Sequence, residues 1–228
     1  MPDARLLDAR LERTPILILI SISTLILTLI STFNFKTMKS LVFATNNAQK
    51  VKEVNDVLGS AFEIVSLQAI GCNEELPETH ETIPENALEK ARYVYKNYNI
   101  DCFSEDSGLE IDALGGEPGV HTAHYSGTRD VNANIDLVLK KMAGQDNRQA
   151  RFRTIIALII KGQEYLFEGV AEGSILHEKR GTGGFGYDPI FVPQGYDKSF
   201  AELSSEVKST ISHRAKATRQ LIEFLNTL

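Results

Sequence analysis

"SLVFATNNAQKVKEVNDVLGSAFEIVSL", residues 40–67, decides the fold class. Ser40 to Thr45 form a short apolar run closed by two asparagines, the pattern of a buried strand. Asn46 or Asn47 is placed to cap a helix in which Val51, Val54, Val57 and Leu58 recur at helical spacing, and Gly59 stops it. Phe62 to Leu67 alternates and reads as a second strand. Strand, helix and strand in succession predict an α/β class with a buried first strand.

The chain beyond follows the same logic. Residues 71–83 are a polar loop, and Pro84 opens a helix with Ala87, Leu88, Ala91, Val94, Tyr95 and Tyr98 along one face. "CFSEDSGLEIDAL" (102–114) reads as strand, turn and strand, with Ser107-Gly108 as the turn. A helix starting at Asp130 or Asn132 runs to Met142 and stops at Gly144. Residues 150–160 and 164–173 bracket "KGQ" as a hairpin. Ser212 caps a last helix with Ala215, Thr218, Ile222 and Leu225 inward. The expected architecture is one α/β unit with a long mixed sheet and a cleft between two lobes.

Composition bounds the partners. The 228 residues are 43% hydrophobic, enough for a substantial core. Net charge is −6, and residues 1–37 hold four basic and three acidic side chains, so the body carries −7. Such a body does not attract a nucleic-acid backbone. An anionic ligand must be held by local lysines and arginines or through a metal. Cys72 and Cys102 have neither metal-type spacing nor the number for a disulfide framework, so a reducing, cytoplasmic setting is expected.

Residues 14–35 hold no charge over 22 positions, long enough to span a bilayer as a helix. No small-residue cleavage site follows, yet Met38 opens "MKSLVFATNN" just before the first strand. Two readings stay open for 1–37: an extension upstream of the natural start, or a hydrophobic anchor. The catalytic domain is expected over 38–228. Mass spectrometry of the native N-terminus separates the two.

Five stretches carry candidate chemistry. In "ATNNAQK" (44–50) a strand ends where a helix begins, so free N–H groups and Lys50 can meet an anion; an ordinary asparagine cap with a solvated lysine is the alternative. In "SEDSG" (104–108) adjacent Glu105 and Asp106 diverge if the pleat continues, one suited to a metal and the other to water or substrate; a surface acidic turn is the alternative. Glu78 could supply another carboxylate. Lys90 either snorkels to solvent or points into the cleft. In "EVKSTISHRAK" (206–216) Lys208, His213 and Arg214 are donors near a helix start, or an exposed basic face. "GTGGFGYDPIF" (181–191) is either a tight turn between strands or a slot where a flat ring lies on an aromatic face while Asp188 reads its edge.

Together, "TNNAQK", "ENALEKAR", "SEDSGLEIDALGGEPGV", "GTGGFGYDPIF" and "KSTISHRAKA" resemble the inosine/xanthosine triphosphate pyrophosphatase family, over about residues 39–226. The resemblance implies an elongated curved mixed sheet, two lobes, a homodimer, and Mg²⁺-dependent cleavage of ITP, dITP or XTP to the monophosphate and pyrophosphate. It implies substrate contacts from Thr45, Asn46, Asn47, Ala48, Gln49 and Lys50, and from Ser107. Phe185, Gly186, Tyr187 and Asp188 would clamp the base, and Lys208, His213 and Arg214 would read it. Glu78 and Asp106 would hold the metal, with Asp106 as general base and Glu105 and Lys90 beside it in catalysis. The chain departs from the family at Glu105, often aspartate, and at Asn46, often glycine. A nucleotide sensor without catalysis, a pyrophosphatase for modified pyrimidine nucleotides and a membrane-tethered interaction protein remain as rivals.

Overall fold

The computed structural model describes residues 39–58 and 62–228, and residues 39–228 form one compact unit. The expected extension over 1–37 lies outside the described residues. Among those described, no helix is long and apolar enough to cross a membrane.

Strand β1 (Lys39–Phe43) leads into helix α1 (Ala48–Leu58), and the chain returns as β2 (Phe62–Val65). The two strands pair in parallel from Lys39 opposite Phe62 to Val42 opposite Val65. Helix α2 (Ile83–Tyr98) starts one residue before Pro84. Its cap is reciprocal: the Thr82 hydroxyl accepts from the Glu85 N–H and donates to the Glu85 carboxylate at 2.6 Å.

The stretch expected to turn at Ser107-Gly108 does not turn. Residues Cys102–Ile111 are one continuous strand, β3. Gly108 serves proximity instead: a Cβ there would lie 2.5 Å from the Gly119 carbonyl oxygen, in the short strand β4 (Pro118–Gly119) paired antiparallel to β3. The Ser107-Gly108 pair, which predicts a bend, marks close backbone approach instead.

Asp130 accepts from the Ala133 N–H at 2.7 Å and caps α3 (Val131–Lys141). The long strands β5 (Gln149–Ile160) and β6 (Gln163–Ile175) form the expected hairpin. Its turn residues Lys161 and Gly162 both take positive φ, as a two-residue hairpin loop requires. Strand β7 (Phe191–Pro193) joins the edge of β6. Two helices follow, α4 (Ser205–Ile211) and α5 (His213–Leu225). Ser212 caps α5 through the Ala215 N–H at 3.1 Å, as expected. The short α4, capped by Ser204, was not anticipated.

The sheet order is β2-β1-β3-β5-β6-β7, with β1 parallel to β2 and β3 and the remaining pairs antiparallel. It is the mixed sheet expected. Alternation along β5 shows how its two faces are used. Ile156 and Leu158 pack with α1 and α5, whereas Ile155, Ala157 and Ile159 pack with α2. Farther along the same strand, Ala150 and Phe152 join a third cluster with Ile135 and Val138 of α3 and Phe191 of β7. The long strands therefore run through two lobes with separate cores, and a cleft opens between them.

Candidate active site

A cavity of about 530 Å³ occupies that cleft. Thr45 to Asn47, Lys50, Glu78, Lys90, Asp106 and Ser107 line it from one lobe, and Phe185 to Asp188 from the other, with Lys208, His213 and Arg214 completing the wall. Ala48, Gln49 and Glu105, expected with them, do not line the cavity.

The β1–α1 corner explains the first omission. Asn47, not Asn46, is the helix cap. Its Oδ1 accepts from the N–H groups of Gln49 at 3.0 Å and Lys50 at 3.2 Å, so Ala48 and Gln49 belong to the first helical turn. The Asn47 N–H in turn donates to the Thr45 hydroxyl at 3.2 Å.

β3 carries the acidic pair, and its unbroken pleat sends the two side chains to opposite faces. Glu105 is shut in. Arg214 of α5 clamps it with two bonds, Nε at 2.6 Å and Nη2 at 2.9 Å, and Lys50 adds a third contact at 2.9 Å. Burial alone would raise its pKa, but the Arg214 and Lys50 charges outweigh burial and hold the carboxyl far below the usual range. Glu105 is thus a buried anchor for cations.

Asp106 faces the other way, into the cleft, and is 8% exposed. Lys90 of α2 approaches its Oδ1 at 3.2 Å and the Glu78 carboxylate at 2.5 Å. Lys90 therefore does not snorkel. Burial opposes its charge, but the two carboxylates outweigh burial and keep the ammonium protonated. One cation between two carboxylates leaves a negative charge uncompensated. Burial raises the Asp106 pKa despite Lys90, so this carboxylate is a better proton acceptor than an exposed one.

Stretch 181–187 is not a tight turn; it belongs to the long connection from β6 to β7. Asp188 organises it. Its Oδ2 accepts from the Phe185 N–H at 2.8 Å and from Lys208 Nζ at 2.6 Å, and a Cβ on Gly184 would lie 2.0 Å from that oxygen. Only glycine leaves room for this carboxylate, which is buried and held by these bonds. Asp188 therefore shapes the loop, where the sequence suggested that it reads a ring edge. Tyr187 ties the loop to the opposite wall by donating to the Thr122 carbonyl at 3.0 Å. Phe185 is left half-buried, with Lys208 Nζ 5.1 Å and Arg214 Cζ 5.4 Å from its ring centre.

Lys208 and Arg214 share a residue that sequence reasoning missed. Glu53 of α1 pairs with Lys208 at 2.7 Å and with Arg214 Nη1. Its signal was available: it lies one helical turn after Lys50 on the same face. Arg214 also donates to Ser107 at 3.2 Å, so most of its N–H groups are committed to protein partners. His213 is buried and stacks on Phe152 at 4.7 Å, another residue not anticipated. Burial and the Arg214 charge push its pKa well below the ordinary value, so the ring is neutral. Its Nδ1 has no partner among the described residues. Burial would raise the Glu78 pKa, but Lys90 above all, with Lys50 and Arg129, lowers it; Arg129, also unforeseen, lines the cavity.

No group of three or more His, Cys, Asp and Glu side chains arranged for a metal occurs among the described residues. Glu78 and Asp106 nonetheless converge on one cationic atom. A pair of hard oxygen donors beside open space matches the way Mg²⁺ is held, by one or two carboxylates with water and substrate oxygens. The donor set fits the ion.

Fold and site together define an α/β protein whose interlobe cleft joins a capped helix start, a buried lysine between two carboxylates and an aromatic shelf over cations. The chain belongs to the Ham1 family, whose sequence pattern matches residues 41–224. It is 49% identical to the dITP/XTP pyrophosphatase of Flavobacterium johnsoniae, over 81% of this chain and 97% of that protein. It is 46% identical to the Bacillus subtilis protein of the same name, over 82% and 98%. Among solved structures it resembles the Ham1 protein of Staphylococcus aureus, with TM-score 0.76, 35% identity, and coverage of 83% and 99%. The Ham1 protein of Coxiella burnetii gives 0.77 and 34%, covering 84% and 100%. The family resemblance read from the five motifs is borne out.

Proposed function

We propose that this chain hydrolyses the triphosphates of deaminated purines, ITP, dITP and XTP, to the monophosphate and pyrophosphate, with Mg²⁺ required. The observation that carries the reading is the meeting of an aromatic shelf, Phe185, with the Glu78–Lys90–Asp106 cluster in one cleft. The names of relatives nearly half identical over almost their whole length support it.

The base stacks on Phe185. Stacking tolerates any base, so selection falls to the ring edge. Hypoxanthine and xanthine present an oxygen at C6 where adenine presents an amino group. His213, neutral and lining the cleft, would meet that oxygen as a donor, while Arg214 holds the wall in place. A site built around such a polar contact rejects the mismatched base by up to roughly 10⁴-fold.

The phosphates lie toward the α1 start and Lys50. The cleft's lysines are already matched by carboxylates: Lys50 with Glu105, Lys90 with Glu78 and Asp106, Lys208 with Asp188 and Glu53. A triphosphate therefore needs added positive charge. Mg²⁺ held by Glu78 and Asp106 would supply it and polarise the phosphate oxygens. Asp106 takes the proton from a water whose oxygen bonds to the α-phosphorus as the bond to the bridging oxygen breaks. Lys50 and Lys90 neutralise charge on the departing pyrophosphate. Hydrolysis in ¹⁸O-labelled water tests the step. Label appears in the monophosphate if the α-phosphorus is attacked; label in the pyrophosphate contradicts it.

Phe185→Ala removes the shelf. Its loss raises KM by about one to two orders of magnitude, from about 1–3 kcal/mol of stacking, and leaves kcat within severalfold. Steady-state kinetics with ITP measure both, and an unchanged KM would remove Phe185 from base binding.

A further inference from the structure

The segment between the turn at Gln68–Ile70 and α2 has no regular secondary structure, yet it carries Glu78. Its backbone must find hydrogen-bond partners elsewhere. Three consecutive residues find them on one face of α2, in antiparallel order. Glu78 meets Lys90. Thr79 donates through its N–H to Glu89 Oε2 and through its hydroxyl to Glu89 Oε1, both at 2.8 Å. His80 donates its N–H to Asn86 Oδ1 at 2.8 Å, and its carbonyl accepts from Asn86 Nδ2 at 3.0 Å. Asn86, Glu89 and Lys90 stand at helical spacings of three and four, so they form one stripe. Farther back, Glu74 accepts from Tyr93 at 3.1 Å and Tyr98 at 2.8 Å, two turns down the same helix.

The bonds at Thr79 and His80 are not needed to hold α2, which has its own cap at Thr82 and its own apolar face on the sheet. What they fix is the backbone next to Glu78. That side chain is 45% exposed, and only Lys90 bonds it among the described residues. Ordering a loop residue costs more backbone entropy than one partly exposed ion pair returns. Without the two brackets Glu78 would sample many positions.

We propose that Asn86 and Glu89 are positioning residues: they lock the Thr79–His80 backbone onto α2 and so hold the Glu78 carboxylate facing Asp106, ready to bind the divalent cation. The proposal rests on the reading of Glu78 as a metal ligand. Neither side chain reaches the reacting atoms.

The test uses the full chain with Asn86→Ala, Glu89→Ala, Glu89→Gln and Glu78→Gln. Amide hydrogen exchange without metal or nucleotide reports the brackets. Magnesium titration of ITP hydrolysis reports the consequence. In Glu89→Ala and Asn86→Ala, exchange should speed up in residues 77–81 and stay slow in the sheet. The Mg²⁺ concentration for half-maximal rate should rise about 10–100-fold, the range seen when partners of metal ligands are removed. Glu89→Gln keeps an oxygen for the Thr79 N–H and should recover most of the metal affinity. If Asn86→Ala does not fold, Glu89→Ala decides, because Glu89 is only partly buried whereas Asn86 is buried. Faster exchange with unchanged magnesium dependence in Glu89→Ala, while Glu78→Gln is impaired, would overturn the positioning role alone. Unchanged exchange would overturn the bracket itself. Wild-type magnesium dependence in Glu78→Gln would overturn the reading of Glu78, and this proposal with it.

Discussion

Asp106→Asn should lower kcat for ITP by about 10²–10⁴-fold, the usual contribution of a positioned base, with KM changed little. Asparagine keeps the size of the side chain and an oxygen for Lys90, so the cleft should hold its shape. What it loses is the negative charge, and with it the capacity to take a proton and part of the hold on the cation, so the assay is run at saturating magnesium. The wild-type pH profile follows from the same group. The deprotonated carboxylate is the working form, and burial raises its pKa. Turnover should therefore fall at acid pH as this carboxylate takes up a proton, with the bound cation's charge opposing the effect of burial. In Asp106→Asn the residual rate should lack this acid limb. Near-normal turnover in the variant would assign the proton transfer to another group.

The second large effect is on stability. Arg214→Ala should cost about 3–5 kcal/mol, the range for breaking a buried pair and stranding its partner. Arg214 is 1% exposed and is the main counter-charge of Glu105, also 1% exposed. Lys50 and the Ser107 hydroxyl would remain on that carboxylate, with Lys50 its one cation, and Glu53 would keep only Lys208. Adding Glu105→Gln removes the stranded charge, so the double variant should recover part of the loss. Urea unfolding measures all three proteins. A loss below about 1 kcal/mol in Arg214→Ala would mean the cluster is solvated when the protein is in solution.

The sequence disclosed the fold where local and global signals agree. The strand–helix–strand opening, the hairpin around Lys161-Gly162 and the Ser212 cap each depend on residues close in the chain. Gly108 misled because a glycine beside serine signals a turn locally, and its purpose is the carbonyl of Gly119, which sequence spacing cannot show. The site divides the same way. Thr45 to Asn47, Lys50, Asp106 and Phe185 were legible as motifs. Asp188 was recognised as important, but its work inside its own loop depends on Lys208 twenty residues on. Glu53, Phe152 and Arg129 acquire meaning only when separate elements meet, and the burial of Glu105 depends on Arg214 from the last helix.

The most direct test supplies ITP, dITP, XTP, ATP and GTP to the purified full chain, with and without magnesium, and measures released pyrophosphate. The account predicts rapid release from the three deaminated substrates only when magnesium is present, and little from ATP. Intact ITP and XTP under those conditions, or equal cleavage of ATP, would contradict it.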